Sequence, residues 1–317
     1  MGKRVVSVGD LVLDIILPVA LPVQPDAHQT AESRHVEPGG AGNFMIAAQR
    51  MGVDVVAAGT VGGDAFGAQI LNLLQREGVD MNCVVVIPGA TSTLVIALAD
   101  QQTGAHAFIG DFGRGPAVPY PNGLDKQIAR ADAMFLQGYT LFEERMIPMT
   151  QRALDTARRS HIPVYFDVGP FIAQVSPDDL LRAVGVASVI LMTEAEVSLI
   201  SGGRTGDAAY GRLLAQGPRA LIIKQGAEGC LLVTASGAEH VPGFAVDVVD
   251  TIGAGDCFNA AFVAGQLRGL TLRESARLAN AMGAAAVQRV GAGTNAPTCD
   301  EVMAILSAAG EDIRFKC

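Results

Sequence analysis

No C-x-x-C pair occurs in this chain, and its five cysteines, Cys83, Cys230, Cys257, Cys299 and Cys317, are dispersed. That spacing supports neither a disulfide framework nor a thiolate zinc site, so reduced thiols are expected. A run of basic residues is missing too, and the formal net charge is −9. Nothing in that balance suggests a nucleic-acid or anionic-membrane partner. No apolar stretch approaches the roughly 20 residues of a membrane span. The first residues lead directly into Val5-Val6-Ser7-Val8, without the pattern of a cleaved leader, and a cytoplasmic protein is expected. Two nucleotide signatures are also missing. There is no G-x-x-x-x-G-K-[ST] string, and Gly40-Ala41-Gly42 lacks the third glycine of G-x-G-x-x-G and lies well beyond the first strand. That spacing disfavours a dinucleotide oxidoreductase.

What the chain does have is glycine and alternation. It holds 37 glycines in 317 residues, half of them hydrophobic, enough for one large α/β domain. Val5–Val8 reads as a buried strand. Pro18, Pro22 and Pro25 break the following stretch into edge strands or a flap outside the main sheet. Phe44, Ala47, Ala48 and Met51 recur at helical spacing, and Asp64 starts a second helix. Strands at Ala133–Leu136, Val164–Asp167 and Ser188–Met192 alternate with helices at Glu143–Arg159 and Glu194–Ile200. Such βα units imply a parallel sheet covered on both faces. Leu221–Lys224 and Cys230–Val233 read as a hairpin, and helices are expected over Ala254–Leu267, Leu272–Gln288 and Asp300–Ala308. The expected architecture is a single three-layer α/β/α domain over 1–317, with a mostly parallel central sheet. A small β lid is expected from segments at about 11–37 and 83–112.

The most informative run is Asp250-Thr251-Ile252-Gly253-Ala254-Gly255-Asp256. Glycines open a helix whose first N–H groups lack intrahelical partners, which makes a site for phosphate oxygens. A carboxylate at that place would repel an anion, but it suits a base that takes a proton from an attacking hydroxyl. A second run, Gly39-Gly40-Ala41-Gly42-Asn43, presents bare backbone and one amide before a helix, a place for a polar small molecule. Asp14 follows the first strand, where open α/β sheets bind ligands. It is either a ligand-binding carboxylate or a turn carboxylate. Cys257, at the helix start, is either a thiol of lowered pKa or a packing residue. Arg114 either meets an anionic substrate or is a solvated loop residue.

These runs resemble the signatures of the ribokinase/PfkB carbohydrate kinase family, and the resemblance extends from Gly9 to about Asn295. It implies a ribokinase-like fold and an ATP-dependent transfer of phosphate to a hydroxymethyl group of a small sugar or sugar derivative. A nucleoside kinase of the same fold, or a catalytically idle sugar-binding protein, is the alternative. By the same resemblance Asp256 is the catalytic base, with the anion hole formed by Gly253, Ala254 and Gly255. Asp14, Gly39, Gly40 and Asn43 bind the acceptor, although the Gly-Gly to Asn spacing is one residue shorter than in many members. Lys224, Gly226, Gly229 and Asn280 line the nucleotide site; Lys224 either meets the phosphates or is a solvated strand end. Glu196 organises Mg2+ through water, with Thr193 in place of the family's usual Asn. Asp167-Val168-Gly169-Pro170 likewise lacks the Asn of the family's Asp-x-Asn segment. A monovalent-cation site, with K+ as its ion, would use backbone at Asp250, Ile252, Ala286, Arg289, Gly291 and Asn295. A homodimer through the lid is a further expectation.

Overall fold

The computed structural model describes residues 2–100 and 103–317. Its strands are β1 (Lys3–Val8), β2 (Leu11–Pro18), β3 (His35–Gly40), β4 (Val53–Gly62), β5 (Asp80–Ile87), β6 (Thr93–Ala99), β7 (His106–Asp111), β8 (Ala133–Gln137), β9 (Val164–Asp167), β10 (Val189–Thr193), β11 (Ala220–Lys224), β12 (Gly229–Thr234) and β13 (Gly237–Pro242). Among the described residues, nine of these form one sheet in the order β13-β12-β11-β10-β9-β8-β1-β4-β5. It is parallel except for β12 and β13. The other four form a separate sheet, β3-β2-β6-β7.

Successive side chains of a strand point to opposite faces, and the two cores divide on that parity. Val5, Val53, Val55, Phe135 and Leu191 pack under the helices Ala41–Arg50, Ala254–Leu267 and Leu272–Ala286. Val6, Val8, Val56, Leu136 and Ile190 pack under Leu124–Arg130, Ile147–Arg159 and Pro177–Val186. The helix Ala254–Leu267 is buried along its length from Cys257 to Gly265. A helix apolar on all sides belongs in a core, so its N-terminus is held rigidly where the sheet ends. Asp64 caps its helix through Gly67 N, and Thr193 with Glu196, Thr271 with Glu274, and Thr298 with Glu301 make capping boxes.

Four expectations are corrected. β5 pairs in parallel with β4 in the large sheet, because the helix Ala65–Arg76 between them completes a βαβ crossover. The second small-sheet segment therefore begins at β6, not at Cys83; its residues 101–102 lie outside the described residues. The helix expected from Glu143 begins at Ile147, with Pro148 in its first turn, where the missing N–H costs nothing. Helices Pro177–Val186 and Gly206–Leu214 and strand β13 were not anticipated. Finally, Cys299 and Cys317 form a disulfide, while Cys83, Cys230 and Cys257 are free and buried. The chain end folds back across Arg268, which bonds the Lys316 carbonyl and brings Cys317 to the start of Cys299–Ala308. Among the described residues, no helix is long and apolar enough to cross a membrane.

Candidate active site

The carboxyl ends of the parallel strands converge on one cavity of about 450 Å³. Asp10 follows β1, Gln137 ends β8, Asp167 ends β9 and Lys224 ends β11, and all four line it. The small sheet contributes Val12, Asp14, Thr93 and Val95, while Gly253, Gly255 and Asp256 enter from the start of helix Ala254–Leu267.

Gly253 occupies the left-handed region at φ 71°. A Cβ there would collide with the Cβ of Ala292, so glycine meets both a conformational and a steric need. The next amides lie in the first helical turn, where N–H groups have no carbonyl four residues back. Asp256 stands in that turn. Burial and then the charge of Asp167 push its carboxyl up to about 7, the range that suits a general base at neutral pH. Asn43 Nδ2 donates to Asp256 Oδ2 at 3.0 Å, and Asn43 Oδ1 accepts from Gly293 N at 2.9 Å. The amide expected to contact the acceptor thus also ties Asp256 to the turn Gly293–Asn295. Cys257 is fully buried, its thiol pushed up to about 12 by burial and by Asp256. It is a packing residue.

Asp14 and Gly39 are neighbours across β2 and β3, whose register pairs Val12 with Gly39. A Cβ on Gly39 would overlap the Asp14 carboxyl group, so this glycine admits the acid against bare backbone. Burial and Glu37 push that carboxyl up to about 7. Gly40 lies beside Asp14 and Asn43 in the cavity lining. Arg114 is not part of the site; its side chain is 81% exposed and pairs with Asp111.

Lys224 is not a solvated strand end. Its ammonium, 14% exposed, bonds Asp167 Oδ1 at 2.8 Å and reaches Asn259 Oδ1 at 3.5 Å. A Cβ on Gly255 would sit 3.6 Å from Lys224 Nζ, so the charge stands beside the helix start. Despite burial, the surrounding carboxylates Asp167 and Glu196 hold its pKa above the ordinary lysine value. Glu196 lines the same cavity, with Oε2 accepting from Thr193 N at 2.7 Å; burial raises its pKa. Thr193, in the place of an expected Asn, serves as that helix's N-cap.

A second cavity of about 740 Å³ adjoins the first through Lys224, Thr251 and Gly255. Gly226, Gly229 and Asn280 all line it, together with Phe244, Val246, Phe258 and Val287. Asn280 Nδ2 donates to the carbonyls of Val241 and Pro242, holding β13 against the helix. The six positions of the expected cation site fall on two segments, one before Gly253 and one running from the last residue of helix Leu272–Ala286 to Asn295. The Asp250 carboxylate joins them, accepting from Ile252 N at 3.1 Å, Gly291 N at 2.7 Å and His106 Nε2 at 2.8 Å. Asn295 Nδ2 donates to Val290 O. Ala286 ends its helix, and the Arg289 side chain turns to Glu301.

Several lining residues carried no assigned role in the sequence reading: Asp10, His106, Phe112, Gln137, Tyr139 and Phe171. Asp10, Gln137 and Tyr139 share one signal, a position at or just after a buried strand's carboxyl end, where such sheets bind ligands. Asp10 is buried, its carboxyl pushed up to about 8 by burial and Glu143. Gln137 Oε1 is buried without a hydrogen-bond partner.

Residues 2–299 match the pfkB family of carbohydrate kinases. The ATP-dependent ribose-1-phosphate kinase of Halopiger xanaduensis is 30% identical over 309 residues, 96% of this chain and 98% of that protein. The aminoimidazole riboside kinase of Salmonella typhimurium is 31% identical over 294 residues, 86% of this chain and 88% of that protein. Among solved structures, the ribokinase of Thermotoga maritima superposes with a TM-score of 0.79 at 26% identity, covering 97% of this chain and 100% of that one.

Proposed function

This chain belongs to the pfkB family of carbohydrate kinases, and we propose that it moves the terminal phosphoryl group of ATP onto a hydroxymethyl oxygen of a sugar or nucleoside. The observation that carries this is Asp256. It is a carboxyl group of near-neutral pKa, held by Asn43 on the first turn of a helix whose opening glycines line the same cavity. A carboxylate so placed accepts the acceptor's proton as the oxygen attacks. The first-turn amides, opened by Gly253 and Gly255, stabilise the charge on the transferring group. Lys224, fixed by Asp167, adds positive charge where the two cavities meet. An idle sugar-binding protein would have no use for a carboxyl group held by Asn43 at the opening turn of that helix.

The wider cavity takes the nucleotide in this reading, with its base among Phe244, Val246 and Val287. Among the described residues no group of three His, Cys, Asp or Glu side chains is arranged to grip a metal. That suits a magnesium ion held by phosphate oxygens and water, with Glu196 and Asp167 facing it through water. Magnesium would neutralise charge on the phosphates. Potassium would rest on backbone carbonyls around the Asp250 loop, since three N–H donors already occupy the Asp250 carboxylate. The small sheet serves as a lid over one kinase domain that works in the cytoplasm. Its edge strand β7 exposes Phe108 and Ile109, a surface suited to pairing with a second copy.

Incubation with MgATP and a panel of pentoses, hexoses and nucleosides, with ADP and product followed together, tests the activity. ADP release matched by one phosphate monoester per turnover is the expected result. Release at the same rate without any acceptor would overturn it.

A further inference from the structure

Two features of the acceptor cavity remain unused by the reaction as described. The first is its charge. Asp10, Asp14, Asp167, Glu196 and Asp256 line it against a single lysine, Lys224, which is paired with Asp167. His106 is bonded to Asp250, and nearby Arg145 is turned to Glu143. Among the described residues, no unpaired cationic side chain lines the cavity to receive a phosphate or carboxylate on the acceptor, so such a group would find no side-chain counter-charge there.

The second feature is its rings. The chain has 12 phenylalanines, 4 tyrosines and no tryptophan, yet Phe112, Tyr139, Phe142 and Phe171 gather in one cluster. Ring centroids lie 5.3 Å apart for Phe112 and Phe142, 5.5 Å for Phe112 and Phe171, 5.6 Å for Tyr139 and Phe171, and 4.7 Å for the stacked pair Phe142 and Phe171. Three of these rings, with exposed Phe108 at the rim, line the cavity. They come from three separate segments, after β7, β8 and β9, so local sequence does not bring them together. Tyr139 joins them to the polar groups. Burial and then Asp256, Asp167, Asp10 and Asp14 raise its pKa, so its hydroxyl stays protonated as a donor among carboxylates.

We infer that the acceptor is an uncharged nucleoside: a sugar whose hydroxyls meet Asp14 and Asp256, carrying a flat base that packs against Phe112, Phe171 and Tyr139. Aromatic faces take a base of any sequence through its π-surface, whereas a free pentose presents no such face. A sugar phosphate would bring charge into an acidic site. This rests on the kinase reading above and narrows it.

Calorimetric titration of the full chain with inosine, cytidine, ribose and ribose 1-phosphate tests the inference without turnover. The nucleosides should bind at least about tenfold tighter than ribose, the effect of one stacked base, and ribose 1-phosphate should bind weakest. Phe112→Leu, and exposed Phe108→Ala as a substitution that disturbs no packed core, should shrink the nucleoside-to-ribose ratio. Ribose or ribose 1-phosphate binding as well as the nucleosides would overturn the inference. So would variants that lower all affinities equally, since the rings would then only join the small sheet to the body. Phosphorylation of ribose alone would defeat the inference and leave the kinase reading intact. Nucleoside-selective binding with no phosphorylation would do the reverse.

Discussion

The two cavities that meet at Gly255 are built by different means. The wider one is lined largely by glycine, alanine, valine and phenylalanine, so a ligand there meets bare backbone and apolar slots. The narrower one carries five acidic side chains, four from separate elements and Asp10 from the connection between β1 and β2. Recognition by backbone depends on local chain geometry, whereas recognition by carboxylates depends on the fold assembling distant residues and on burial tuning them. Asp256 lines the narrower cavity beside Gly255, which lines both; in the proposed reaction the Asp256 amide would meet the phosphate and its carboxyl the acceptor.

The contrast can be broken first on the backbone side. Gly253→Val places a β-branched residue at positive φ and drives a side chain into Ala292. The first-turn amides would lose their aim, and losing such donors costs about 10²–10³ in kcat. Stopped-time assays with a folding control by circular dichroism check this; near wild-type turnover would show that the amides are not used. Lys224→Met removes the one cation at the junction. Charge-assisted bonds are worth about 1.5–3 kcal/mol, so kcat/KM should fall about tenfold to a hundredfold. The Asp167→Asn, Lys224→Met double variant serves as the stability control for the carboxylate left alone.

On the side-chain side, Asp14→Ala should raise the acceptor KM about tenfold and leave the ATP KM within twofold. Equal rises in both would dissolve the division between the cavities. The smallest effect concerns pH. Turnover needs Asp256 ionised, so kcat/KM for the acceptor should climb as pH rises through about 7. Asp167 is the largest charge raising that value; Asp167→Asn should move the limb to lower pH. A limb that stays put or moves upward would remove Asp167 from the electrostatics of the base.

The same division explains what could be read before any coordinates. Glycine runs at 39–42 and 253–255 are local, and they marked the starts of two helices that open on the cavity. The alternation of strands and helices from Ala133 onward announced the parallel sheet. The ring cluster was hidden, because Phe112, Tyr139 and Phe171 are neighbours only after β7, β8 and β9 are placed. Lys224 was ambiguous for a related reason: its partner Asp167 lies 57 residues away. The lid segment expected at about 83–112 took in β5, which the structure instead places at the larger sheet's margin.

Asp256→Asn tests the central claim most directly. The substitution keeps shape and a hydrogen-bonding oxygen but removes the proton acceptor. Folding should survive. The wild-type carboxyl has a folded pKa raised to about 7, so its contribution to stability is full below the ordinary aspartate range and is lost as pH rises through about 7. The Asn variant should therefore gain in Tm relative to wild type on going from pH 5 to pH 8. Its affinity for MgATP, measured by calorimetry, should be kept or increased, while kcat should fall by at least about 10². A folded variant turning over within threefold of wild type would mean that Asp256 only caps its helix and that another group takes the proton.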